Sequence, residues 1–122
     1  MRIEELSVGD WVMYRDREWQ VCALYEFTEE VGLWRKDGQI CEYVADIEPI
    51  PLTPEILHKN GFEIIEESAD FQLYGSPECS IIFTKGTVRY RLETPQASVV
   101  CYFVHQLQHA LRLAGVGKEI KV

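Results

Sequence analysis

The chain of 122 residues lacks any apolar run that approaches the roughly 20 residues needed to span a membrane. Its opening segment, MRIEELSVGDW, has no signal-peptide core, so we expect a cytoplasmic protein. The sequence also lacks closely spaced cysteines, because Cys22, Cys41, Cys79 and Cys101 lie far apart. We therefore expect free, buried thiols rather than disulfides or a four-cysteine zinc site.

Positive charge is scarce and unevenly distributed. The net charge is −8, and residues 1–50 alone hold 12 acidic and 5 basic residues, a net of −7. Nucleic-acid binding depends on Lys and Arg displacing counterions from phosphates, so this charge disfavours a nucleic-acid partner. The same charge favours the approach of a basic partner.

Catalytic motifs are also missing. The eight glycines are isolated, so no phosphate-binding loop is present. His105 and His109 have the spacing of the HExxH zinc motif, but Gln106 occupies the position of its general base. Cys101 precedes His105 by one helical turn, yet no third group that would orient a nucleophilic pair is evident. We expect no enzyme activity and no cofactor.

The same two histidines leave one alternative open. A non-catalytic metal site could use His105 and His109 with Cys101, although zinc sites need three or four convergent ligands. The stronger interpretation places both histidines on the polar rim of a helix.

The longest periodic segment is Ser98–Gly115, and it predicts a helix. Its apolar stripe comprises Val100, Val104, Leu107, Leu111 and Ala114, widened by Phe103 and Ala110. Ser98 is the predicted N-cap and Gly115 the residue that ends the helix.

The first 50 residues predict five short strands and a small, strongly bent barrel. In the second strand, alternation predicts that Trp19, Val21, Ala23 and Tyr25 share one face. Asp37-Gly38 predicts a hairpin turn with positive φ at both central positions. The predicted strands are Trp11–Tyr14, Trp19–Tyr25, Val31–Arg35, Ile40–Val44 and Asp46–Ile50.

The proline-rich segment 49–54 marks a boundary, and residues 51–122 predict an α+β unit. Thr53 and Pro54 begin a short helix that ends at Lys59. An antiparallel sheet follows, whose apolar face the long C-terminal helix covers. The predicted strands are Phe62–Ile65, Phe71–Tyr74, Cys79–Thr84 and Val88–Leu92, with an edge strand at Glu119–Val122. The predicted fold class is therefore α+β, with a small N-terminal β-barrel.

The sequence carries two resemblances to known proteins, and the first implies that the N-terminal barrel is SH3-like. The segment Leu6–Val12, LSVGDWV, with Trp19–Val21 after a polar turn, resembles the opening hairpin of SH3-like barrels of the KOW and Tudor kind. Many such barrels bind RNA, DNA or peptides. With the phrases at Asp46–Phe62 and Val104–Gly115, the chain is similar to a family of small uncharacterised Bacteroidetes proteins. That resemblance implies a prophage or mobile-element context and no established activity.

Aromatic and basic residues supply the candidate binding groups. Six aromatic residues crowd the N-terminal half and can either fill the barrel core or form a groove for a peptide or a methylated cation. They are Trp11, Tyr14, Trp19, Tyr25, Trp34 and Tyr43. Arg89 and Arg91 share one strand face, where they bind an acidic partner or pair with acidic residues of the chain.

The absence of catalytic motifs and the aromatic N-terminal half together favour a non-enzymatic interaction or adaptor protein that binds another protein. The candidate partner-binding residues are Trp11, Tyr14, Trp19, Trp34, Arg89 and Arg91. A nucleic-acid-binding regulator and a non-catalytic metal-binding protein are the alternatives.

Overall fold

A computed structural model describes all residues, 1–122. The chain divides into two compact units, Met1–Ile50 and Pro51–Val122, and the boundary falls inside the proline-rich segment. Each unit contains one five-stranded antiparallel sheet, and the longer helix lies near the C-terminus, so the predicted α+β class is confirmed. Neither α-helix is long and apolar enough to cross a membrane.

The N-terminal unit is a five-stranded meander with one returning strand. Its order is β4-β3-β2-β1-β5, and 3-10 turns at Ile3–Glu5 and Val44–Asp46 precede β1 and β5. Strands β4 and β5 are the two edges of an open sheet, so closure into a barrel is not established. The strands are β1 Trp11–Tyr14, β2 Arg17–Tyr25, β3 Glu30–Arg35, β4 Gly38–Tyr43 and β5 Glu48–Pro49.

The turn before β1 explains the Gly-Asp pair in the opening segment. The Asp10 amide donates to the Ser7 carbonyl at 3.1 Å, and Gly9 takes a φ of 98° that favours glycine. The Asp10 carboxylate is fully buried and accepts a hydrogen bond from the Ser7 amide at 2.8 Å. Asp10 also accepts from the Val21 amide through its carbonyl, which joins this turn to β2.

A β-bulge in β2 changes which side chains face the core. Val21 pairs with Leu33 and Ala23 with Gly32, so Cys22 is an extra residue in the ladder. The predicted shared face is therefore wrong beyond Val21. Leu24 packs against the core, and Tyr25 points outward with 51% of its surface exposed.

Two hairpins of this unit differ in their turn chemistry. Between β1 and β2, Arg15 and Asp16 both have positive φ, at 49° and 61°, as a primed two-residue turn requires. The hairpin predicted at Asp37-Gly38 is present, but Gly38 pairs with Arg35. Its central residues are Lys36 and Asp37, and neither has positive φ, so the predicted turn conformation is wrong.

The second unit is also a meander, with the order β10-β9-β8-β7-β6. Val88 was expected inside the sheet, but it lies in the turn before β9 and is 70% exposed. The α-helices are α1 Pro54–Lys59 and α2 Val104–Leu113, and the strands are β6 Glu63–Glu67, β7 Phe71–Gly75, β8 Ser80–Thr84, β9 Tyr90–Glu93 and β10 Ser98–Cys101.

The predicted helix at Ser98–Gly115 is half right. Ser98–Cys101 form strand β10, antiparallel to β9, and the helix begins only at Val104. Ser98 is therefore not an N-cap. The β-branched pair Val99-Val100 lowers helix propensity and suits a strand, where it pairs with Leu92 and Arg91.

Both ends of α2 have clear local causes. The Gln106 side-chain carbonyl accepts hydrogen bonds from the backbone amides of Tyr102 and Phe103, at 2.8 and 3.2 Å. This is the returning half of a capping box. At the C-terminus, Gly115 has a φ of 74°, and the Val116 amide donates to the Leu111 carbonyl at 2.9 Å. The predicted stop at Gly115 is confirmed as a Schellman motif.

Helix α1 has the predicted bounds, and its end holds the C-terminal segment. The Thr53 hydroxyl accepts from the Ile56 amide, with Pro54 at the first helical position. The Asn60 side chain donates to the Lys121 carbonyl at 2.7 Å and accepts from its amide at 2.8 Å. The predicted edge strand at Glu119–Val122 is wrong, because these backbone groups bind Asn60 rather than a sheet.

The buried side chains of the second unit come from one face of the sheet, from both helices and from the C-terminal segment. Tyr74, Ile81 and Leu92 form one cross-strand row of that face, and the helices contribute Leu57, Val104, Leu107, Ala110 and Leu111. Burying such a face against helices is the usual way an antiparallel sheet is stabilised.

Candidate interaction surface

The outward face of strands β2, β3 and β4 carries an unusual set of exposed aromatic side chains. Cross-strand pairing places Tyr25, Glu30 and Tyr43 in one row. At the other end of the same face, Trp34 lies in a row with Gln20, and Gln20 pairs in turn with Trp11 of β1. We call this surface the outer aromatic face: Trp11, Gln20, Cys22, Ala23, Tyr25, Glu30, Gly32, Trp34, Gln39, Cys41 and Tyr43.

The middle of the outer aromatic face is formed by small residues. Ala23, Gly32 and Cys41 lie in one cross-strand row between the tyrosine row and the tryptophan row. A β-carbon on Gly32 would lie 3.1 Å from the Ala23 β-carbon and 3.1 Å from the Cys22 sulfur. Any larger residue would force these neighbours to shift by a few tenths of an ångström, so glycine fits best where the bulge crowds the neighbouring strand. The row of small residues therefore forms a low surface, which we call the floor, between the tyrosine row and the tryptophan row.

Exposure separates this face from the core. Tyr25, Trp34 and Tyr43 are 51%, 41% and 59% exposed, which is high for large rings in a folded unit. The opposite face of the same strands supplies the core residues Val21, Val31 and Leu33, each almost fully buried. The aromatic rings are thus surplus to the packing of the unit and are available to a partner.

The thiols of Cys22 and Cys41 and the carboxylate of Glu30 lie on or next to the floor. Cys22 and Cys41 are exposed, so the expectation of buried thiols is wrong for both. The Cys41 thiol donates a weak hydrogen bond to the Glu30 carboxylate at 3.5 Å. Desolvation and that carboxylate raise the pKa of Cys41, which keeps it a neutral thiol at neutral pH.

The strands of this face lie in segments whose charged residues are almost all acidic. Segments 18–34 and 37–50 contain no Lys, Arg or His, and they include Glu30 at the centre of the tyrosine row. The nearest basic side chain of β3, Arg35, is already engaged. It lies over the Trp19 ring at 5.3 Å and pairs with Asp37 at 3.5 Å. The face therefore presents aromatic rings within a negative field.

The four aromatic binding candidates fall into two groups. Trp11 and Trp34 lie on the outer aromatic face, with Trp11 half-buried. Tyr14 is buried in the core, and burial and a hydrogen bond with Glu42 raise its pKa. Trp19 packs against the core beneath the Arg35 guanidinium. Tyr14 and Trp19 therefore have little surface left for a partner.

The two arginines do not share a strand as predicted. Arg91 is in β9 and pairs with Glu93 of the same strand at 2.6 Å, whereas Arg89 precedes the strand. Lys85, in the turn that precedes them, pairs with Glu67 at 2.9 Å. The structure brings no cluster of basic groups together here.

The structure brings His105 and His109 together, but His105 does not lie at the solvent-exposed edge of the helix. The rings of His105 and His109 lie 5.8 Å apart in an edge-on arrangement, and His105 also stacks on Phe103 at 6.0 Å. His105 is buried, which contradicts its predicted place on the polar rim. No group of three or more His, Cys, Asp or Glu side chains is placed to hold a metal ion.

Cys101 is buried in β10, so the expected helical turn between it and His105 does not exist. Burial raises the pKa of the Cys101 thiol to about 11. At pH 7 only about one thiol in ten thousand would then be ionised, which makes Cys101 a poor nucleophile.

Pattern reasoning missed Tyr25, Tyr43 and Glu30 as members of a single surface. The strands could be predicted from the sequence pattern, but the bulge that sets Tyr25 on the outward face could not. Gly32 was the available signal, because a glycine inside a strand often marks a bulge or a close approach of another strand.

No family model, no curated protein and no solved structure matches this chain. The functional interpretation therefore depends on the surface itself.

Proposed function

We propose that this chain is a non-enzymatic interaction protein whose N-terminal unit binds another protein through the outer aromatic face. The observation that supports this is the exposure of three large aromatic rings around a small-residue floor. Tyrosine and tryptophan are enriched at protein interfaces because they bury much apolar area with little loss of conformational entropy.

The proposal includes the finer fold of the N-terminal unit, an SH3-like barrel. Its strand order, with a 3-10 turn before a short β5 that pairs with β1, is typical of such barrels. In this arrangement the inner face of the bent sheet holds the core and the outer face stays available. The proposal also includes the cytoplasmic location expected from the sequence and the prophage or mobile-element context that the resemblance implies.

A selection of random 12-residue peptides against the purified chain tests the proposed function. We expect selected peptides to bind the wild type and to lose at least about tenfold in affinity with Trp34→Ala or Tyr43→Ala, as interface aromatic residues commonly do. Leu113→Ala and Val88→Ala are matched controls, because both side chains are exposed apolar groups of the second unit, at 88% and 70%.

Circular dichroism and thermal melting would establish that each variant is folded. Peptides whose binding is unaffected by Trp34→Ala and Tyr43→Ala, but reduced by the controls, would contradict the proposal. A turnover activity that a single substitution abolishes would contradict its non-enzymatic part.

A further inference from the structure

We infer that the partner of the outer aromatic face is a Lys- or Arg-rich protein segment, one of whose cationic side chains lies between Tyr25 and Tyr43 above Glu30. This inference rests on the proposed function and adds the chemical class of the partner. The charge of the unit and the geometry of the tyrosine row each support it.

The charge argument begins with the whole N-terminal unit. Residues 1–50 carry 12 acidic and 5 basic residues, and segments 18–34 and 37–50 carry acidic residues without any Lys, Arg or His. A single-sign surface of this kind speeds the association of an oppositely charged partner and repels one of the same sign. It therefore selects against acidic segments, phosphates and anionic lipid surfaces.

The same charge decides against a second copy of this chain. Two outer aromatic faces brought together would place two acidic units, each with a net charge of −7, in contact. No basic group on β2, β3 or β4 faces the tyrosine row to relieve that repulsion, since Arg17 lies at the other end of β2 opposite Tyr14 and Arg35 is held by Trp19 and Asp37. A basic partner removes the repulsion instead of doubling it.

The geometry argument concerns the row Tyr25–Glu30–Tyr43. Three neighbouring strands set the two tyrosine α-carbons about 9–10 Å apart, with Glu30 between them. Two flanking rings leave room for one extended side chain in this space. An ammonium or guanidinium group there gains cation–π attraction from the rings and pairs with the carboxylate below.

The floor of the face fits the rest of such a segment. Gly32 and Ala23 keep the surface low next to the tyrosine row, and Trp34 bounds it on the far side at 41% exposure. A partner backbone can therefore approach the sheet closely, while its basic side chain reaches the tyrosines. The aliphatic stem of Lys or Arg would pack on the rings.

Four synthetic 12-residue peptides test this inference. They share one Gly-Ser framework and carry either Arg, Lys, Glu or Gln at alternate positions. Binding is followed by NMR shifts of the tyrosine rings and by protection of Cys22 and Cys41 from alkylation, since both thiols lie on the floor. We expect the Arg and Lys peptides to bind, and their affinity to fall about tenfold between 50 and 200 mM salt.

Matched variants separate a local site from general attraction. Glu30→Gln and Glu4→Gln remove the same charge, yet only the first lies in the tyrosine row. We expect Glu30→Gln, Tyr25→Ala and Tyr43→Ala each to weaken Arg-peptide binding about fivefold to tenfold. Glu4→Gln and Tyr102→Ala, an exposed tyrosine of the second unit, should change it less than twofold.

The outcomes distinguish this inference from the proposed function. Equal binding of the Gln or Glu peptide at the same face would overturn the inference and leave the proposed function standing. Equal weakening by Glu30→Gln and Glu4→Gln would also overturn it, because attraction would then be non-specific. If the basic peptides and the peptides from random selection all fail to shift the tyrosine resonances, the proposed function fails as well.

Discussion

Gly32 is the residue on which the outer aromatic face depends. A β-carbon there would lie 3.1 Å from the Ala23 β-carbon, and the backbone at Ala23 is held by the bulge. We expect Gly32→Ala to destabilise the chain by about 1–3 kcal/mol, because neither strand can move apart without losing ladder hydrogen bonds. Urea unfolding measures this free energy directly.

Gly117→Ala is the matched control for that measurement. A β-carbon on Gly117 meets no atom within 4 Å, and its backbone is not in the left-handed region. Its effect should stay within about 0.5 kcal/mol. An equally small effect at Gly32 would show that the two strands are less crowded than the geometry indicates.

The buried thiol of Cys101 predicts that the folded chain loses stability at alkaline pH. Its pKa in the folded chain is about 11, against 9.0 for an ordinary thiol. The fold therefore favours the protonated thiol, and this contribution is fully present below pH 9 and lost as the pH rises toward 11. By linkage the loss is on the order of 2 kcal/mol.

The test compares the wild type with Cys101→Val, which keeps the site apolar and cannot ionise. The difference in unfolding free energy between the two should be constant from pH 7 to 8.5 and shift in favour of the variant by pH 10.5. The tyrosines titrate in both proteins and so cancel in this comparison. A difference that does not change with pH would contradict the burial assigned to Cys101.

At the scale of elements, α2 depends on Gln106, which occupies the general-base position of the HExxH spacing. The Gln106 carbonyl accepts from the Tyr102 and Phe103 amides, which have no partner within the helix. We expect Gln106→Ala to cost about 1 kcal/mol in a thermal or urea melt. Gln106→Glu keeps the acceptor and should retain most of that stability, whereas equal losses in both variants would rule out the capping role.

The end of α1 makes a second prediction. Asn60 both donates to and accepts from the backbone of Lys121, so Asn60→Ala should cost about 1–3 kcal/mol and speed amide exchange at Lys121. Asn60→Asp keeps the acceptor for the Lys121 amide but places a carboxylate oxygen against the Ile56 and Lys121 carbonyls, so it should cost at least as much as Asn60→Ala. Unchanged exchange at Lys121 in Asn60→Ala would show that the segment is held by the burial of Ile120 instead.

Helices and strands were predicted correctly from the sequence where the capping residues and the hydrophobic period indicated the same element. Thr53-Pro54 predicted the start of α1, and Gly115 predicted the end of α2. The segment at Ser98–Cys101 was misread because Val100 and Val104 have helical spacing by coincidence. The pairing of Val99 with Leu92, across the hairpin turn at residues 94–97, decides the outcome, and the helical spacing of the residues that follow concealed it.

The candidate surface was less predictable than the fold. That aromatic residues crowd the N-terminal half was evident, and one of the predicted candidates, Trp34, is 41% exposed. Which rings face outward depends on one unpaired residue, Cys22, and alternation has no means of detecting it. His105 was misplaced because its stacking on Phe103 draws a polar ring into the buried side of the helix.

Across the whole molecule, the four thiols report on both units at once. Cys22 and Cys41 are exposed, Cys79 is half-buried and Cys101 is buried. With a thiol reagent at pH 8 we expect Cys22 to react first, Cys41 more slowly because its pKa is raised, Cys79 later and Cys101 only on unfolding. Mass spectrometry of the labelled peptides gives the order.

Added urea extends the same measurement. Cys101 should become reactive at the unfolding transition of the second unit, whereas the rates at Cys22 should already be high in its absence. Early labelling of Cys101 in the folded chain would contradict its place in the core.

The bulge at Cys22 also bears on how such a surface can arise or disappear in evolution. Side chains alternate along a strand, so the parity of the residue count decides which of them reach solvent. Deleting Cys22 would remove the bulge and restore plain alternation, in which Leu24 still points inward and Tyr25 still points outward in the present register. The bulge therefore absorbs one residue without disturbing the surface, whereas an insertion or deletion that is not absorbed in this way would exchange Leu24 and Tyr25 between the two faces in a single step.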